Sequence, residues 1–424
     1  MIPLNFINGS ATVCFGFAIV HTFSVGWIHR FANRFPAGTA TRNLVALFGE
    51  VEVVFGAWAA IWLCLIGIVG GFREVSGYLA TCNMTEPVFV FVVMTVCSTR
   101  PILSAVEMGI ERLSQWVPGP PPIGYYLVCM SVGPLLGSVI TEPAAMTVTA
   151  MLLLKRFYGQ GLSRRWMYAT LGLLLVNVSI GGALTPYAAP PLVMVARNWG
   201  WGFPTIMTLF GWKAIVAIGV GTGLTTALFR KELSGMSWDS SRDESTALIP
   251  KWVIGTHLLF LAMIVMGGHH IKIFFGLFIF FLGWMTVTRQ YHVDLRLRQG
   301  LLVAFFLGGI VILGGPQQWW IEWVIVHSNV PGLFLGAMGL SAVTDNAAVT
   351  YLGSQVSTLS ELGKVALVSG ALVGGGLTVI ANAPNPIGFS VLGHSFGADG
   401  IRPLRLFLGA LGPTIIAAVC FWFL

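Results

Sequence analysis

Apolar residues in this chain gather into long unbroken runs separated by short polar loops. Ten runs approach the roughly 20 residues a helix needs to cross hydrocarbon: 10–28, 44–70, 87–105, 166–200, 204–229, 252–267, 271–288, 299–315, 364–393 and 403–424. Runs 166–200 and 364–393 carry Gly/Pro breaks and read as broken helices. Two more apolar stretches, 125–154 and 330–357, are each interrupted by a polar knot, Thr-Glu-Pro at 141–143 and Thr-Asp-Asn at 344–346. The pieces flanking each knot read as too short to cross alone, which predicts re-entrant helical hairpins with tips at mid-depth. Irregular backbone persists there only when buried in protein or lining a wet cavity.

Composition agrees. Of 424 residues, 56% are hydrophobic and 9% charged, against about a quarter charged in soluble domains. The lipid bilayer is therefore the expected environment, and the net charge of +7 is read as orientation rather than nucleic-acid binding. Six scattered cysteines without a C-x-x-C pair read as packing thiols. The first segment lacks the basic region of a cleaved signal, so its apolar run is expected to stay as a span. The pair His269-His270 offers too few ligands for a metal site, GVGTG at 219–223 reads as helix packing, and PQQWWIEW at 316–323 as an interfacial helix. His21 and His257 lie in spans, where proton relay and packing are both open readings.

The two knots resemble each other. TEPAAMT at 141–147 and TDNAAVT at 344–350 share four of seven residues, and Glu142 stands opposite Asp345. Downstream, GGALTPYAAPP at 181–191 matches GGGLTVIANAPN at 374–385, with Thr185 opposite Thr378. Each half then has five crossings, an odd number, so the second copy inserts upside down. The expected fold is an all-α polytopic membrane protein of two inverted-topology repeats. Each has five transmembrane helices, counting one broken helix, plus one re-entrant helical hairpin. Residues 1–229 form the first repeat, 230–251 a cytoplasmic linker, and 252–424 the second.

Charge placement supports this layout. If both hairpins return to their own side, loops on one face hold seventeen of the 23 Lys and Arg, the other face holds four (Arg73, Arg197, Lys272, Lys364), and Arg100 and Lys213 fall within spans. The positive-inside rule makes the richer face cytoplasmic and both termini periplasmic, in a bacterial inner membrane.

A broken helix exposes backbone N–H at one new end and C=O at the other. Carbonyls, Thr hydroxyls and a carboxylate are the oxygen ligands a small hard cation takes. The candidate cation and proton site is Asp345 and Glu142, with Thr344, Asn346, Thr350, Thr141, Thr147, Thr185, Thr378, Asn382 and Asn385. A mid-membrane carboxylate either binds a cation or takes up a proton. The same acids could instead anchor the hairpin tips by hydrogen bonding. Glu50, Glu52, Arg100 and Lys213 are the other intramembrane charges. Two bases neutralise at most two of the four acids, so two carboxylates remain for exchange. Arg100 could pair with a span-two Glu, and Lys213 is expected to have a partner rather than snorkel.

A hairpin with such a knot, then GG-x-x-T and a Pro-containing break, resembles the ion-transporter superfamily and, within it, the sodium/proton antiporter branch. The resemblance implies secondary transport without an organic cofactor, with Na+ and H+ as the transported ions. The first half departs from the pattern: Pro143 replaces Asn, and Ala189-Pro190-Pro191-Leu192 lacks the terminal Asn, so Glu142 and Asp345 should be inequivalent. The leading expectation is exchange of Na+ (or Li+) for H+. The alternatives are Na+- or H+-coupled transport of an anion such as a carboxylate or arsenite, and a non-transport membrane protein. The oligomeric state stays open between monomer and homodimer.

Overall fold

The computed structural model describes residues 3–238, 249–268, 270–292, 295, 297–397 and 400–424, and among these every regular element is helical. Arg242, Arg296, His269 and residues 239–248 of the expected linker lie outside the described residues.

In the first half, α1 (Leu4–Ala32), α2 (Ala40–Phe48) and α3 (Val51–Gly70) are followed by α4 (Phe72–Thr81), α5 (Thr85–Cys97) and α6 (Arg100–Ser114). Then come α7 (Pro121–Leu135), α8 (Gly137–Ile140), α9 (Glu142–Arg156), α10 (Arg164–Gly181) and α11 (Pro190–Ala196). α12 (Phe203–Ile206) runs through a π-turn at Met207–Gly211 into α13 (Trp212–Leu228), and α14 (Arg230–Ser234) opens the linker. The second half holds α15 (Lys251–Met266), α16 (Ile271–Val287), α17 (Leu297–Gly314), α18 (Gln318–Val326), α19 (Val330–Val343) and α20 (Asn346–Ser354). It ends with α21 (Glu361–Gly374), α22 (Asn385–Gly393) and α23 (Pro403–Phe423).

Among the described residues, six segments are long and apolar enough to cross a membrane: Asn5–Ala32, Glu52–Gly70, Pro121–Ile140, Phe203–Leu228, Gly300–Ile325 and Pro403–Phe423. The remaining expected spans are shorter or broken. α15 and α16 have 16 and 17 residues, roughly 24–26 Å at 1.5 Å per residue. The run at 87–105 breaks at Ser98-Thr99, where Pro101 follows in the first turn of α6. α4 and α5 meet at a 70° bend. One expectation is corrected here: the first arm of the 125–154 stretch begins at Pro121, so at 20 residues it is long enough to cross by itself. Pro134 and Gly137 kink it without ending it, because the next turn reforms at once as α8.

In both knot-bearing stretches the two arms pack against each other, α7 on α9 and α19 on α20. The Arg156 guanidinium at the end of α9 lies 5.6 Å from the Tyr125 ring near the start of α7, and 3.4 Å from Glu111. In the other half, Leu359 and Leu333 meet beside Gly363. Lipid tails are as apolar as Leu, so helices in a membrane associate by close packing rather than by hydrophobic exclusion. α3 lies along α17 in this way, with Gly309 against the backbone of Phe55. The halves also interlock reciprocally. α11, beyond the first break, packs on α20 of the second knot, while α22, beyond the second break, packs on α9 of the first.

Candidate cation site at the two helix breaks

The same local bond builds each half of the site. The Thr185 hydroxyl donates to the Ser138 carbonyl at 2.7 Å, and the Thr378 hydroxyl donates to the Ala342 carbonyl at 2.7 Å. Each ties a break to the end of the helix preceding its own knot, whose terminal carbonyls lack helical partners. Ser138 does more, donating from its hydroxyl to Gly181 at 2.7 Å and accepting from the Leu184 amide at 2.9 Å. Ser138 carried no sequence signal beyond its place three residues before the knot. The Asn346 amide donates to the Ala381 carbonyl at 3.1 Å, and Asn385 donates to the carbonyls of Gly375 and Thr378.

The acids themselves differ. Asp345 is the N-cap of α20, accepting from the Ala347 amide at 2.8 Å, and its carboxyl also lies within reach of the Ala348 and Ala383 amides. Glu142 is the first residue of α9 and is fully buried. Its Oε2 accepts from Asn382 Nδ2 at 2.8 Å, a bond spanning 240 residues of sequence. The Glu142 side chain occupies the space where a Cβ on Gly182 would sit, so glycine is required at that crossing. Glu142 is within electrostatic reach of Asp345, and Asp345 of Glu52. Thr141, which introduces Glu142, has φ of 72°, the one positive value outside glycine among the described residues. Such strain costs about 1–3 kcal/mol and gathers at functional sites.

Several buried polar atoms here have no hydrogen-bond partner within the protein: Thr141 Oγ1, Glu142 Oε1, Asn346 Oδ1 and Nδ2, Asn382 Oδ1 and Asn385 Oδ1. A buried polar atom left unpaired costs about 1–3 kcal/mol. Their concentration at the two knots and breaks supplies carboxylate, hydroxyl and amide oxygens, the chemistry of a hard monovalent cation. The other predicted hydroxyls are turned inward on their helices: Thr344 donates to Leu340, Thr147 to Pro143, and Thr350 to Asn346 and Ala347. Their oxygens retain acceptor capacity.

Of the remaining predicted charges, Glu52 is within electrostatic reach of Asp345, while Glu50, Arg100 and Lys213 have partners elsewhere. Glu50 pairs with Arg298 at 2.7 Å, and Arg100 opens α6 within electrostatic reach of Glu107. The span-two Glu50 thus has Arg298, on α17 beside α3, as its ion-pair partner. Lys213 has a partner, but it is the Phe421 carbonyl at 3.3 Å.

A cavity of about 1060 Å³ reaches from Glu50, Glu52, Arg298 and His29 to Thr378 and Ala383 at the second break. At the opposite end of α5, Glu86 faces Arg197 at 3.7 Å and Asn83 at 3.3 Å. That ion pair was not singled out from the sequence, where the two residues stand 111 positions apart.

No match is found among curated proteins. A family model matches residues 6–424, nearly the whole chain, and the chain therefore belongs to the family described as putative Na+/H+ antiporter.

Proposed function

We propose that this chain exchanges Na+ (or Li+) for H+ across a bacterial inner membrane by alternating access, with Asp345 and Glu142 as the carboxylates for which cation and proton compete. The observation that carries this reading is the meeting of two buried acids with unpartnered hydroxyl and amide oxygens at two facing helix breaks. A carboxylate in that setting is neutralised either by a cation completing its oxygen shell or by a proton. Binding of one displaces the other, and that is the coupling of an exchanger. Two buried acids within electrostatic reach of each other also disfavour an anion as the cargo, because like charges repel.

Residues 1–229 and 252–424 act in this reading as inverted repeats, with re-entrant hairpins carrying the knots. It is supported by the matching Thr185 and Thr378 bonds and by the reciprocal packing of α11 and α22. The basic loops assign the Glu50 and Arg298 end of the cavity to the cytoplasm. In this reading that cavity is the cytoplasmic approach to the second break, and Glu86 and Arg197 stand on the periplasmic side. Purified protein in liposomes with a trapped pH dye, given Na+, Li+, K+, succinate or arsenite in turn, tests the proposal. Proton movement with Na+ or Li+ alone supports it, and movement only with an anion removes it.

A further inference from the structure

A second feature lies away from the two helix breaks. On the lipid-facing side of α10, α13 and α23 lies a groove of about 590 Å³ whose walls include Leu228, Leu408 and Ile416. Those walls are aliphatic, and Leu228 and Leu408 are 65% and 59% exposed. Arg164, Arg165 and Arg405 line the same groove. All three stand in the first turns of α10 and α23, neither of which carries an acidic residue there. Cations at a helix N-terminus oppose the macrodipole, so the Arg165 and Arg405 guanidiniums add to the positive ends of their helices. Among the described residues no carboxylate forms an ion pair with Arg165 or Arg405, and the nearby Glu232 accepts from the Ser163 amide and hydroxyl.

We propose that this groove is a binding site for an anionic phospholipid, its phosphodiester held by Arg165 and Arg405 and one acyl chain lying between α13 and α23. Charge complementarity selects the occupant. A phosphate oxygen pair matches the guanidinium fork, and the aliphatic walls suit an acyl chain rather than a soluble anion. Basic clusters where spans meet the headgroup layer are places where anionic lipids are retained. The site is separate from the two breaks, so it stands whether or not the exchange reading does.

The test is native mass spectrometry of the full-length, delipidated protein titrated with phosphatidylglycerol, phosphatidylcholine or inorganic phosphate. One phosphatidylglycerol per protomer should be retained about tenfold better than phosphatidylcholine, which has the same phosphodiester but adds a trimethylammonium cation that the arginines repel. Inorganic phosphate should not be retained. Arg165→Gln with Arg405→Gln should lose that preference. Gly412→Phe, at a position where added side-chain atoms meet open space, should block the acyl chain while leaving every arginine in place. Two variants of opposite kind keep the result readable if one is poorly folded. Equal retention of both lipids, or unchanged phosphatidylglycerol in either folded variant, overturns the proposal. So does retention of inorganic phosphate as strong as that of the lipid, or a dimer that forms through the groove without lipid.

Discussion

Asn382 and Glu142 come from opposite halves of the chain and meet by one buried hydrogen bond of 2.8 Å. The bond satisfies one carboxylate oxygen of Glu142 and leaves Oε1 without a protein partner. The second break thus completes the first knot, and a change in one half is felt in the other.

Asn382→Ala should destabilise the protein by about 1.5–3 kcal/mol, the worth of a hydrogen bond to a charged group. Glu142→Gln should recover part of that loss in the double variant, because the unpaired charge is removed with its partner. Thermal unfolding of all four proteins gives the coupling energy, which should exceed about 1 kcal/mol for residues in contact. Additive losses would mean the two residues are energetically independent.

Thr185→Val and Thr378→Val each remove one bond from a break to its helix carbonyl. Each should cost about 1 kcal/mol of stability and lower the exchange rate, with neither silent. Full activity in one variant and none in the other would contradict a matching role for the two bonds.

Competition between cation and proton fixes the sign of the pH dependence. Lowering pH adds protons to the acids and weakens cation binding, so the Na+ concentration for half-maximal exchange should rise as pH falls. In the proton-dominated range the rise approaches about tenfold per pH unit for one shared proton. A half-maximal concentration unchanged between pH 6 and 9 would point to a site with no titrating acid.

The inverted arrangement sets which residues share a side. With exposed Cys64 replaced first, Ser234→Cys should label from the cytoplasm and Thr358→Cys from the periplasm, using an impermeant maleimide on intact cells. Labelling of both from one side would break the assignment.

Much of this site can be read from sequence because its chemistry is local: a Thr, an acid and a helix break recur together at 141–147 and 344–350. The inequivalence of the acids also follows from single residues, since Pro143 and Leu192 stand where the other half has Asn346 and Asn385. Contacts between halves are not legible in this way. Neither Asn382 on Glu142 nor Arg298 on Glu50 has a spacing that signals it, because both depend on how α3, α9, α17 and the breaks pack. Helix boundaries within the spans are hard to read for a related reason. Apolar runs register length and hydropathy, whereas Pro101, Pro134 and the paired glycines decide whether a helix continues, bends or stops.

The sharpest test of the proposed exchange is Asp345→Asn, which keeps the shape of the side chain and removes its charge. Sodium-dependent proton flux should be measured for this variant and the wild type, reconstituted at matched monodispersity and protein density. Flux should fall to background, while Asp345→Glu retains part of it with a changed Na+ requirement. Wild-type flux from the Asn variant would contradict the exchange site placed at Asp345.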